Sequence, residues 1–162
     1  MAGFYDADSY TVDRSIGFLV LSISSLLVAA LEDRLVPALG LGVSQWRALA
    51  LLHDGHAATA AEVCAGLQYN SGAMTRLIDK LEASGHVARE ADPGDRRTYR
   101  LKLTARGRAA CERGFELARD NLNEALAGLS RGQAEQLVGS LQTMKATMQH
   151  QRAQPLRAAR RR

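Results

Sequence analysis

Aromatic side chains make up only 5% of this 162-residue chain, and cysteine occurs twice, at Cys64 and Cys111. Few aromatics beside plentiful alanine and leucine suit a mainly helical protein. Two cysteines far apart in sequence, with no CxxC pair, do not make the disulfide framework of a small secreted domain and fit a reducing cytoplasm. Catalytic strings are missing as well: there is no Gly-x-Ser-x-Gly, no phosphate loop and no His-Glu-x-x-His. Without a nucleophile, a base and an orienting group in recognisable relation, the chain is not expected to be an enzyme, and no cofactor is called for. No internal repeat is evident, and the length allows one full-sized core or two small lobes.

A membrane span is not expected either. The apolar run Ile16–Leu31 is short of the roughly 20 residues a span requires, and Ser22, Ser24 and Ser25 interrupt it. Asp6, Asp8 and Asp13 precede it against a single Arg14, the wrong sign for a secretory leader. The run reads as a buried helix.

Acidic residues are absent from Arg152–Arg162, which holds five arginines, so of the net +4 the first 151 residues carry −1. Residues 85–108 nevertheless hold seven basic and three acidic side chains. The basicity is therefore local, as in a phosphate-binding surface. The terminal stretch 151–162, ending in like charges with little apolar surface, is expected to be disordered.

Upstream of this basic segment, Met74, Leu77, Ile78 and Leu81 fall at i, i+3, i+4 and i+7, one buried stripe on a helix. The other face carries Ser71, Ala73, Thr75, Arg76, Asp79 and Lys80, residue types that reach base edges and phosphates when a helix lies in a major groove. Gly85 is placed to stop that helix. Short extended runs follow at His86–Asp92 and Thr98–Leu103. In the second, Tyr99, Leu101 and Leu103 alternate with Arg100 and Lys102, predicting one buried and one cationic face. Pro93-Gly94-Asp95 between them favours a tight turn that projects Asp95, Arg96 and Arg97. An arginine on a narrow loop suits a minor groove, and a nearby carboxylate can orient it.

Around this unit the chain orders itself simply. A first helix is expected over about 13–36, ending before Pro37. A second is capped by Ser44 and packs Trp46, Leu49 and Leu52 inward. A short third helix, AAEVCAGL, starts at Thr59 or Ala60 and is broken by Gly66. Asn70 or Ser71 caps the recognition-type helix. A long helix begins at Thr104 and reaches about Gly128. Ser130 and Gln133 make a capping box for the last, with Leu137, Val138, Leu141, Met144 and Met148 at helical spacing.

The string DPGDRRTYRLKLTARG, following that helix, resembles the wing signature of MarR-type winged helix-turn-helix regulators, with Asp95, Arg97, Leu103, Thr104 and Gly107 at the signature positions. The resemblance extends from about Asp13 to about Gln149. It implies a mainly α fold: a winged helix-turn-helix lobe over 44–103, with N- and C-terminal helices (13–36 and 104–150) forming a dimerisation lobe. It also implies a homodimer on a palindromic operator in double-stranded DNA, usually a repressor and often released by a small ligand. Ser71, Ala73, Thr75, Arg76 and Lys80 would then meet the major groove. Arg97, oriented by Asp95, would enter the minor groove, and Arg96, Arg100 and Lys102 would contact phosphates.

Relatives that sense aromatic acids bind them between the dimer helices and the DNA-binding lobe. The resemblance maps that cleft to Arg14, Ser15, Phe18, Trp46, His53, Asn121 and Leu122, with Arg14 able to pair with an aromatic or phenolic carboxylate. Two other readings stand beside it. One is a metal- or redox-responsive regulator on the same scaffold, drawing on His53, His56, Glu62, Cys64, Cys111 and Glu112, although no metal set has convincing geometry. The other is a helical dimer acting through protein partners.

Overall fold

The computed structural model describes residues 4–6, 9–91 and 99–159. A 3-10 turn (Val12–Arg14) leads into α1 (Ile16–Leu39), α2 (Val43–His53), α3 (Ala60–Leu67) and α4 (Ser71–Ala83). The strands β1 (Val87–Ala91) and β2 (Tyr99–Leu103) come next, then α5 (Ala105–Ala125) and α6 (Arg131–Ala159). The fold is thus mainly helical, with one two-stranded antiparallel sheet. It divides into two units, Met1–Leu122 and Asn123–Arg162.

In the first unit, Leu41, Ala48, Leu49, Val63, Leu67, Met74, Leu77, Ile78, Leu81, Val87, Leu101 and Cys111 form one continuous core. The whole i, i+3, i+4, i+7 stripe of α4 is buried in it. A second cluster joins Leu31 and Leu35 of α1 to Val43 and Trp46 of α2, with Phe115 and Leu117 of α5 packed alongside.

Local chemistry sets the helix boundaries. Ser15 caps α1, and its Oγ accepts from the Phe18 N–H at 3.5 Å. The expected stop before Pro37 is not observed: α1 runs one turn further, to Leu39. A proline in the last turn forfeits only one hydrogen bond, and the helix ends at Gly40, whose φ of 66° allows its N–H to bond Val36 at 2.9 Å. Nor does Ser44 cap α2. That cap is Gly42, whose N–H bonds Gln45 Oε1 at 3.1 Å, while Glu32 of α1 accepts the Val43 N–H at 2.6 Å. Ser44 instead hydrogen-bonds the Tyr69 hydroxyl. Thr59 and Glu62 close a capping box on α3, and the Ala58 N–H, ahead of the other contacts, holds the Glu62 carboxyl below its usual range. Gly66 does not break α3. It lies within the helix, where a Cβ would press on Leu51 at 2.8 Å, and the chain turns at Gln68, φ 57°.

Most of α1 is not buried within the chain as expected. Leu21 is 70% and Leu26 67% exposed, and Ile16, Phe18, Leu19 and Ile23 are exposed too. By length and composition alone α1 could cross a bilayer, yet its second half carries Glu32, Asp33 and Arg34 and anchors in the core through Leu31 and Leu35.

The second unit is dominated by α6, whose expected capping box is present: Ser130 N–H donates to Gln133 Oε1 at 2.8 Å and Gln133 N–H to Ser130 Oγ at 3.4 Å. The helix continues to Ala159, past residue 151 where a disordered tail is expected. Alanine, leucine, glutamine and arginine propagate a helix readily once its first turn is capped. Leu137, Val138, Leu141 and Met148 on it are exposed.

Candidate nucleic-acid interface

The helix-turn-helix is built by α3 and α4 around the Gln68–Asn70 turn. Asn70 starts α4, its Oδ1 accepting from the Ala73 N–H at 2.8 Å. Tyr69 is held there from two sides: the Cys64 thiol donates to its carbonyl at 2.9 Å, and its hydroxyl meets Ser44. With the apolar stripe of α4 facing inward, Ser71, Thr75, Arg76 and Lys80 are left exposed and Ala73 half-buried. The Thr75 hydroxyl donates to the Ser71 carbonyl at 3.1 Å, and Arg76 Nε to Gly72 at 3.3 Å. An open cleft of about 440 Å³ runs beside this face, bordered by Glu32, Ser44, Gln45, Ala73, Arg76 and Lys80. Exposed donors on a rigid helix are what major-groove readout requires.

The end of α4 is locked to the sheet by a complete Schellman motif. Gly85, φ 72°, donates its N–H to Glu82 at 2.8 Å, and His86 donates to Leu81 at 2.9 Å. Thr104 closes the other side: its N–H bonds the His86 carbonyl at 3.1 Å, and its hydroxyl donates to Gly85 at 2.7 Å and accepts from the Gly107 N–H at 3.0 Å. Gly107 belongs here because a Cβ would lie 2.9 Å from the His86 carbonyl carbon and closer still to its oxygen. Burial, and then the charge of Arg106, push the His86 imidazole below its usual range.

β1 and β2 pair antiparallel, with Arg89 opposite Leu101, Glu90 opposite Arg100 and Ala88 opposite Lys102. Leu101 is buried and Leu103 half-buried, but Tyr99, expected on the buried face, is 57% exposed because it stands at the outer end of the sheet, beyond the core. Arg100 and Lys102 are exposed on the opposite face, Lys102 Nζ lying 2.7 Å from Glu90 Oε2. Asp95, Arg96 and Arg97 lie outside the described residues.

Sequence reasoning missed Arg89. Its guanidinium reaches from β1 to α4, Nη2 to Asp79 Oδ1 at 2.6 Å and Nη1 to Glu82 Oε2 at 2.5 Å. The signal was present: Arg89 shares the strand face of buried Val87, an odd place for an arginine unless acids wait there.

The effector residues are not gathered into one cavity within the chain. Trp46, 8% exposed, packs edge-on against Phe115 at 5.7 Å and spends its indole N–H on the Cys111 carbonyl at 3.3 Å. Asn121, 5% exposed, donates to the Leu27 carbonyl at 3.2 Å and so ties α5 to α1. Ser15 is consumed by its capping role and by the Tyr10 hydroxyl. Arg14, Phe18 and Leu122 are exposed; exposed His53 pairs with Asp54 at 2.9 Å and meets Phe115 edge-on. Along α1, Ser15 stands 16 residues before Leu31, or about 24 Å at the helical rise of about 1.5 Å per residue, so Arg14, Ser15 and Phe18 are remote from Trp46.

Burial, then Asp54 and Glu112, raise the Cys111 thiol to about 11, which makes it a poor nucleophile. Among the described residues no three His, Cys, Asp or Glu side chains are grouped to hold a metal ion.

Residues 39–98 match the profile of the MarR family. The multiple antibiotic resistance protein MarR of Escherichia coli is 30% identical over 111 residues, 68% of this chain and 76% of its own. The HTH-type transcriptional repressor Rv2887 of Mycobacterium tuberculosis is 29% identical over 132 residues, 82% of this chain and 94% of its own. Solved structures agree. A mutant of E. coli MarR complexed with operator DNA superposes with a TM-score of 0.71 at 28% identity, covering 80% of this chain and 92% of that one. Rv2887 in complex with salicylic acid gives 0.68 at 27% identity, over 82% and 97%.

Proposed function

The chain belongs to the MarR family of transcriptional regulators, and from that premise we propose that it is a homodimeric repressor of a palindromic operator, released by a small aromatic or phenolic carboxylate. The observation that carries the DNA reading is the exposed row Ser71, Thr75, Arg76 and Lys80 on α4, held beside a strand whose outer face presents Arg100 and Lys102. In this reading α4 enters the major groove with Ala73 at its base, and Arg96, Arg100 and Lys102 bind phosphates. Arg97, oriented by Asp95, enters the minor groove. The DNA-binding lobe is 44–103. Two-fold symmetry sets half-sites about 10 base pairs apart or a multiple.

Dimerisation is supported by the apolar surface that one chain leaves exposed on α1, and by the stripe on α6. A run of exposed apolar side chains along one helix is the kind of surface that a second subunit covers. The segments 13–36 and 104–150 are its source. A cytoplasmic site of action follows from work on DNA. The effector reading draws on the salicylic acid complex of Rv2887. Arg14, Phe18, His53 and Leu122 keep exposed side chains; because Arg14, Ser15 and Phe18 are remote from Trp46 within one chain, a site that uses both groups takes the first from the second protomer of the dimer. A ligand releases DNA only to the extent that it prefers the non-binding state.

The test is a titration of purified protein against the DNA upstream of its own gene, with scrambled competitor, at two salt concentrations. We expect a Kd in the specific range, about 10⁻⁸ to 10⁻¹¹ M, weakened by both Arg76→Ala and Arg97→Ala with the dimer intact. Binding near about 10⁻⁴ to 10⁻⁶ M that the competitor abolishes, on this and on other genomic fragments, would refute the reading.

A further inference from the structure

The recognition helix carries two carboxylates, Asp79 and Glu82, three residues apart on one side of the helix. Asp79 lies one turn beyond Arg76 and next to Lys80, so it stands among the cations offered to DNA, where a bare carboxylate would repel phosphate. Both acids are met by one side chain. Arg89 contacts Asp79 at 2.6 Å and Glu82 at 2.5 Å, and its side chain is 31% exposed, against 53% and 38% for the acids. The bond to Asp79 is the main reason the guanidinium is held firmly charged.

Position gives the contact its meaning. The sheet is rooted in the core through Val87 and Leu101, but Glu90, Ala91, Tyr99 and Arg100 beyond them are exposed. Arg89 links the sheet to α4 through its side chain. Because Arg89 pairs with Leu101, and the flanking pairs are Glu90 with Arg100 and Ala88 with Lys102, fixing Arg89 also fixes the cations of β2. A guanidinium fork holds two carboxylates in one geometry, which a lysine cannot do.

Resting on the DNA reading above, we propose that Arg89 is a positioning residue. By bridging Asp79 and Glu82 it sets the spacing between recognition helix and wing strand, so that the cations of α4 and of β2 meet the same stretch of duplex. It also masks two acids that would otherwise face phosphate.

The experiment uses the full-length protein and an operator selected by the wild type from random-sequence DNA. Binding is followed by anisotropy and hydroxyl-radical footprinting, with thermal melting as a folding control. The informative variant is Asp79→Asn with Glu82→Gln. It removes two negative charges, so simple electrostatics makes it bind DNA at least as tightly. The clamp requires the opposite: specific affinity about tenfold lower, the scale of one lost specific contact, with flanking protection by the wing lost and central protection by α4 kept. Arg89→Met should lose at least as much, because it also leaves the two acids bare, and the triple variant should lose no more than Arg89→Met, because all three residues act as one unit. Tighter or unchanged binding by Asp79→Asn/Glu82→Gln overturns the proposal, as do additive losses, which would make Arg89 a direct phosphate contact. Should these variants melt early, Arg89→Lys keeps the charge without the fork; it should also lose the flanking protection, and a wild-type footprint overturns the clamp. If the wild type selects no sequence at all, the DNA reading fails and the clamp falls with it. A wild type that selects an operator, with variants indistinguishable from it, sinks the clamp alone.

Discussion

Replacing Gly107 by alanine tests the junction on which the recognition helix and the wing both depend. Gly107 sits in the first turn of α5, where alanine is the better helix former by about 1 kcal/mol. Conformation therefore favours the substitution, and packing must decide the sign. The new Cβ would stand 2.9 Å from the His86 carbonyl carbon and 3.3 Å from Leu103 Cδ2, where carbon atoms prefer roughly 3.5 to 4 Å. His86 is backbone here, so no side chain can rotate away. Overpacking costs about 1 to 3 kcal/mol. Moving α5 outward also strains the Thr104 bonds to His86 and Gly85, at 3.1 and 2.7 Å, each worth about 1 kcal/mol. Set against the propensity gain, the net loss is about 2 to 4 kcal/mol.

The assay is urea unfolding at fixed protein concentration, followed by the fluorescence of Trp46, the sole tryptophan. Gly139→Ala in α6 is the control. It meets nothing within 4 Å, lies on the helix face opposite the Leu137–Met148 stripe, and should stabilise α6 by up to about 1 kcal/mol. A Gly107→Ala loss below about 0.5 kcal/mol, the ordinary range of a surface substitution, would refute the close approach.

Two further predictions concern titrating groups. Cys111, with its thiol raised to about 11 by burial, should react with a disulfide reagent at pH 7.5 only as the protein unfolds; rapid reaction of the folded protein at this residue would contradict its burial. His86 is depressed below 6.5, so the unfolded chain binds its proton more readily. Its contribution to stability is therefore complete above pH 6.5 and declines as pH falls toward the lower folded value. The urea midpoint should drop across that window, and less so in His86→Gln. Identical profiles for the two proteins would show that His86 is not held neutral.

The amino-acid pattern revealed the fold wherever a periodic apolar face meets one core. The stripe of α4, the box at Ser130 and Gln133 and the glycine stop at Gly85 all behave as local chemistry dictates. It misled where a distant residue replaced a local one. Ser44 looked like the cap of α2, but Glu32, eleven residues before Val43, reaches that helix start and frees Ser44 for Tyr69. Pro37 and Gly66 looked like breaks; one falls in a last turn, and the other gives Leu51 room beside α3. At the candidate site, the exposed row of α4 was readable from periodicity. The Arg89 bridge showed only as an arginine on the strand face of buried Val87; its partners did not show, because they lie 10 and 7 residues away on another element. The effector residues were the least legible. Indole and amide groups that suit a ligand suit a backbone carbonyl equally well, and Trp46 and Asn121 are spent on Cys111 and Leu27.

The central claim, that this chain reads a DNA sequence as a two-fold dimer, is tested most directly by selecting random-sequence duplexes with the purified protein and sequencing what is retained. The account predicts an enriched inverted repeat, with half-sites about 10 base pairs apart or a multiple, that Arg76→Ala no longer selects. Retention of DNA without any enriched sequence, by wild type and variant alike, would contradict it.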